Sequence, residues 1–135
     1  MTIQIMNPPG LAVAQTHSQL AVASGSRTIY LAGQIGQDAQ GRLVGVGDLA
    51  AQTEQALTNV GIALQAAGAG WADIAKMTIY VAGWKPERMA ALAEGWGRVA
   101  ARHGITEQRP VTLVGVEMLF SPEVLIEFDV TAVVG

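Results

Sequence analysis

The chain has 135 residues and a mass of 14.1 kDa, enough for one domain spanning residues 1–135 with a real core and no linker to break it. Half of its residues are hydrophobic and only 14% are charged, against roughly a quarter charged in an ordinary soluble domain, yet no apolar run approaches the ~18 residues of a membrane span, so the surplus predicts self-association. A formal charge of −3 with eight scattered basic residues opposes nucleic acid as a partner, while the absence of cysteine and two isolated histidines, His17 and His103, leave no metal site to propose.

The amino terminus lacks a basic region followed by an apolar signal core, so the expected location is the cytoplasm. Thr2 to Met6 reads as a short strand stopped by Asn7-Pro8-Pro9-Gly10, a turn signal. His17 to Ala23 and Arg27 to Ile35 read as paired strands around the short link Ser24-Gly25-Ser26, followed by a glycine-punctuated loop from Asp38 to Gly47. From Leu49 the apolar period becomes helical through Ala56, Leu57, Val60 and Leu64, with Asp48 at the N-cap and Gly68 just past the end. Ala75 to Ala82 is a strand with Met77, Ile79 and Val81 on one side. A second helix follows, with Pro86 in its first turn, a stripe of Met89, Leu92, Trp96, Val99 and His103, and Gly104 at its close. His103 suits a helix C-terminal cation better than a catalyst.

The last stretch holds two more strands, Val111 to Met118 and Val124 to Val134. In the second, Val124, Ile126, Phe128, Val130, Ala132 and Val134 alternate with Leu125, Glu127, Asp129, Thr131 and Val133, the pattern of a strand with one face on a core. Glu127 has two readings: a charge that keeps an outer face from sticking to other chains, or a carboxylate that lines a cleft and holds a water. Two helices against about five strands predict a two-layer α+β sandwich with one sheet face bare, which is where partner subunits are expected. Thr28 to Gln34 also echoes Thr78 to Trp84, two similar strand ends or two related strand-helix units.

Several motifs in this order resemble one family. They are Gly33-Gln34-Ile35 after a strand, the helix opening Asp48-Leu49-Ala50-Ala51-Gln52-Thr53 and closing Ala66-Ala67-Gly68, the strand Lys76 to Val81, and Arg109-Pro110 followed by Val124-Leu125-Ile126-Glu127. From His17 to Val134 the chain is similar to the reactive-intermediate deaminase family, RidA, also called YjgF or L-PSP. That resemblance implies a chorismate-mutase-like fold, a mixed sheet of five or six strands with two helices on one face, in a homotrimer. It also implies hydrolysis of 2-imino or 2-aminoacrylate-type acids to a 2-keto acid and ammonia, without a cofactor.

Carried over position by position, the family's glutamate matches Glu127 and its glycine matches Gly33. The aromatic donor near the amino terminus corresponds to His17, and the position that is often cysteine in deaminases is Val114. The family's arginine, which suits a substrate carboxylate, falls on Thr112. The adjacent cation Arg109 lies at an odd offset and is expected to point to the opposite face. Glu127 is thus the candidate catalytic residue, and Gly33, Thr112, Val114 and His17 are candidate substrate-binding residues. Two functions follow: a deaminase-like hydrolase of an imine, enamine or related small carbonyl metabolite, or a trimer that binds such a metabolite without turnover. RNA cleavage, the family's older label, is opposed by the acidic charge and the lack of a paired histidine acid and base.

Overall fold

The computed structural model describes residues 3–135. Strand β1 (Ile3–Met6) pairs antiparallel with β2 (Leu20–Ala23), with Ile3 opposite Ala23. Thr2, which the sequence pattern adds to this strand, lies outside the described residues. The main sheet has the order β3 (Arg27–Tyr30), β6 (Ile126–Val134), β4 (Ile74–Ala82), β5 (Val111–Val116). Strands β4 and β5 are parallel and the other pairs antiparallel, so the sheet is mixed. With helices α1 (Leu49–Ala66) and α2 (Met89–His103) on one face, the fold is the expected two-layer α+β sandwich. Among the described residues no helix is long and apolar enough to cross a membrane.

Period-2 alternation decides which face is buried. Ile126, Phe128, Val130, Ala132 and Val134 of β6 point to the helices, joined by Met77, Ile79 and Val81 of β4. They meet Ala56, Leu57, Val60 and Leu64 of α1 and Leu92 and Val99 of α2, while the Trp96 ring packs at 6.2 Å from that of Phe128. Each fully buried side chain of this size contributes about 1.5–3 kcal/mol of transfer free energy. Asp48 caps α1 by accepting the Ala51 N–H at 3.0 Å. The two helices approach most closely at Gly95, where a Cβ would overlap the carbonyl oxygen of Ala50.

The expected hairpin of residues 17–23 with 27–35 does not form: β2 pairs with β1, and β3 pairs with β6. The link between them lies against the end of β6, where a Cβ on Gly25 would come within 2.9 Å of Val133 Cγ1, so the chain crosses the sheet end rather than folding back. Ser18 instead sits beside Pro110, its N–H donating to the Arg109 carbonyl at 3.1 Å. Strand β3 is also shorter than expected. After Leu31 donates to Val130 the ladder breaks, and it resumes where Gln34 and Phe128 exchange both backbone bonds at 2.8 and 2.9 Å. Gly33 lies in that break.

Candidate functional site

The sheet face away from the helices holds the polar side chains of its strands in transverse rows. Strand register places Glu127 opposite Tyr80 and Tyr80 opposite Val114 in one row; Asp129, Thr78 and Thr112 form the next. Because side chains alternate, the intervening row, Phe128, Ile79 and Leu113, points to the helices.

Gly33 and Glu127 are brought into contact. A Cβ on Gly33 would overlap Glu127 Oε2 and stand 2.6 Å from its Cδ, so only a residue without a side chain leaves the carboxylate where it is. Gly33 has no positive φ, so the requirement is for close approach and not for backbone freedom. Glu127 is half-buried there. A half-buried carboxylate over a glycine backbone can hold a water and accept a proton from it.

Thr112 and Val114 lie on the same face as Glu127, two strands away. Thr112 is not alone. Lys76 of β4 donates from Nζ to Thr112 Oγ1 at 2.7 Å. Sequence reasoning passed over Lys76, although it shares the parity of Thr78 and Tyr80 and so points to the same face. The irregularity between Ile74 and Lys76 in the β4–β6 ladder lets Ile74 stay buried while Lys76, two residues on, faces outward.

Arg109 is on the other side of the sheet. It is 8% exposed, its Nη2 bonds Glu107 Oε1 at 3.0 Å, and its Nη1 is buried without a hydrogen-bond partner. Beside it is a cavity of about 20 Å³, large enough for one water to meet an unsatisfied donor. His17 lines a groove of about 510 Å³ together with Arg109, Trp96, Val111 and Leu113, on the helix side of β5. Its Nδ1 lies 3.0 Å from Thr16 Oγ1. Within one chain His17 therefore does not meet Thr112, Val114 or Glu127, and only a second copy could bring it to them.

The polar groups with shifted ionisation lie away from this face. Glu54 of α1 is held below the usual carboxylate range, first by its hydrogen bond from Arg102 and then by that from Arg98, both on α2. Asp38 is lowered chiefly by the backbone N–H of Arg42. These groups tie helices and loops together and offer no acid or base to the open face. Among the described residues no group of three or more His, Asp or Glu is placed to hold a metal ion.

The family profile described as endoribonuclease L-PSP matches residues 9–134. A stretch of 57 residues is 47% identical to 2-iminobutanoate/2-iminopropanoate deaminase of Bos taurus, covering 42% of this chain and 41% of that protein. The match thus spans less than half the length of that relative. The structure of a Rid family protein of unknown function, YyfB from Yersinia pestis, superposes with a TM-score of 0.89 at 32% identity, over 99% of this chain and 100% of that one. E. coli TdcF with bound serine gives a TM-score of 0.69 at 26% identity, over 97% and 98% of the two chains.

Proposed function

The chain belongs to the endoribonuclease L-PSP family, the RidA or YjgF family, and from that premise we propose that it is a cofactor-independent hydrolase of an imine, enamine or related small carbonyl metabolite. The observation that carries this reading is the contact of the Glu127 carboxylate with the backbone at Gly33, on a face that no helix covers. The likeness to a protein named as an imine deaminase supports it. In the reaction, Glu127 orients a water and takes its proton as the oxygen adds to the imine carbon. The nitrogen is protonated, the C–N bond breaks, and ammonia leaves as the carbonyl forms. No electrons are exchanged with a third partner.

The working unit is a homotrimer with its clefts between subunits. Exposed apolar side chains support this: Tyr30 on the open face is 79% exposed and Phe120, in the connector before β6, is 88% exposed. Such surface, in a chain only 14% charged, favours burial against further copies. A partner's His17 could then complete the cleft.

Two measurements test the proposal. Sedimentation velocity at micromolar concentration should give three times the chain mass of 14.1 kDa, and a stable monomer would overturn the shared cleft. Imine decay in a coupled amine or amino-acid oxidase reaction should be accelerated by the native protein and not by Glu127→Ala. Equal rates for the two proteins would remove Glu127 from the chemistry.

A further inference from the structure

We infer that Gln52 and Asn59 of α1 are positioning residues for Glu127, each gripping one of the two chain segments whose meeting sets Gly33 against the carboxylate. The role rests on the chemistry proposed for Glu127. It involves contacts within one chain only, on the helix side, so it holds whichever subunit covers the open sheet face.

The sheet alone leaves that meeting half-determined. Strand β4 fixes Glu127 from one side, with Tyr80 opposite it and Val81 opposite Ile126. On the other side the β3–β6 ladder is broken between Leu31 and Gln34, so no ladder bond holds Gly33 itself. The approach is close: a Cβ on Gly33 would stand 2.6 Å from Glu127 Cδ, so a small shift of either segment moves the carboxylate.

Asn59 and Gln52 supply the missing anchors. They are two helical turns apart on one face of α1, roughly 10.5 Å along its axis. Asn59 Nδ2 donates to the Ile35 carbonyl at 3.0 Å and to that of Gln37 at 2.8 Å, while its Oδ1 accepts from Gln55 Nε2 at 3.0 Å. Ile35 follows Gln34, which exchanges both backbone bonds with Phe128, the neighbour of Glu127. Gln52 holds the other segment. Its Oε1 accepts the Leu125 N–H at 2.8 Å, and its Nε2 donates to the carbonyls of Glu123 at 2.9 Å and Gly45 at 3.1 Å.

The distribution of these bonds separates positioning from general packing. Every backbone group that the two side chains hold lies in the loop after Gly33 or in the approach to Glu127, and none lies in β4, β5 or α2. Gln52 is fully buried, where an apolar side chain would avoid the cost of desolvating an amide. What the amide supplies instead is a fixed geometry, both N–H groups and the oxygen being used on segments far apart in the chain. The loop also lies directly on the helix at this residue, since a Cβ on Gly36 would come within 2.9 Å of Gln52 Cα. One rigid helix thus sets the separation of the segment that carries Gly33 from the strand that carries Glu127.

Asn59 is only half-buried, so Asn59→Ala is the first variant, and Asn59→Asp, which keeps an acceptor for Gln55 and loses both donors, is the second. Each is assayed where circular dichroism shows it folded. In both, kcat for imine hydrolysis should fall at least tenfold with KM within threefold of native. Glu54→Gln, on the same helix, should leave both constants unchanged. In a Gly33→Ala background Asn59→Ala should cost no more than a further twofold, because the contact it maintains is already lost. Amide hydrogen exchange reads the anchor without turnover: the Gln34 and Phe128 amides should exchange at least tenfold faster in Asn59→Ala, with the Met77 amide, bonded to Pro110 across the sheet, within twofold. Unchanged exchange at Gln34 and Phe128, an unmoved kcat, or a full additional loss in the Gly33→Ala background would each overturn the inference. A native protein that hydrolyses no imine would refute the hydrolase instead, and the exchange rates alone would then decide whether Asn59 holds the Gly33 segment.

Discussion

Gly33→Ala is the sharpest test of how the acid end of the site is held. The new methyl would stand 2.6 Å from Glu127 Cδ and overlap Oε2. Carbon atoms rest at about 3.5 Å or more, so the carboxylate must retreat by roughly 1 Å. A displacement of that size at a reacting group costs about 100-fold in rate, equivalent to about 2.7 kcal/mol of barrier. Folding is affected far less. Moving a side chain off its rotamer costs about 0.5–1.5 kcal/mol, while replacing glycine where φ is compatible returns about 0.4–1 kcal/mol by restricting the unfolded chain. The denaturant midpoint should therefore stay within about 1 kcal/mol of native while imine hydrolysis falls about 100-fold. In a Glu127→Ala background the same substitution should cost no further activity. A Gly33→Ala protein within threefold of native activity would show that the position of this carboxylate does not matter, and the reasoning would fail with it.

Gln52→Leu keeps a similar volume but leaves the Gly45 and Glu123 carbonyls and the Leu125 N–H without their side-chain partner, so a urea midpoint should report a loss of about 2–3 kcal/mol. Glu54→Gln removes the carboxylate that links α1 to Arg98 and Arg102 and should cost less than about 1 kcal/mol at neutral pH. Because the folded Glu54 is held below its ordinary value of 4.5, that difference from native should be complete above this pH and vanish as pH falls through the lowered folded value, read as thermal midpoints that converge as the pH is taken down. Thr112→Arg should raise kcat/KM for 2-iminobutanoate, and raise it more when Lys76 is also changed to Thr, because the new guanidinium otherwise stands against the Lys76 ammonium. A native protein that already hydrolyses 2-iminobutanoate rapidly would contradict this.

What could be read from the residues divides by whether the cause is local. The faces of β6 follow from alternation alone because one face meets the core, and α1 follows from its apolar stripe and its Asp48 cap. The residues point β3 to the wrong partner because Ser24-Gly25-Ser26 is a good local hairpin signal, whereas the strand it pairs with is β6, about a hundred residues further along the chain. Gln52 reads as surface on polarity, yet it is fully buried because its amide closes three backbone groups of distant loops. The contact of Lys76 with Thr112 is not legible in the residues because it comes from the parallel register of β4 beside β5, a pairing that no local pattern encodes. The odd offset of Arg109, a purely local argument, does place it on the opposite face from Thr112.

The two ends of the open face have different kinds of constraint. At the acid end Gly33 and Glu127 are locked by contact, so either substitution disturbs the other. At the basic end the charge is carried by a side chain of β4 and steadied by a hydroxyl of β5, both exposed, with neither packed into the core. Substitution at the basic end should therefore cost the fold almost nothing, because both side chains lie on the face the core does not use.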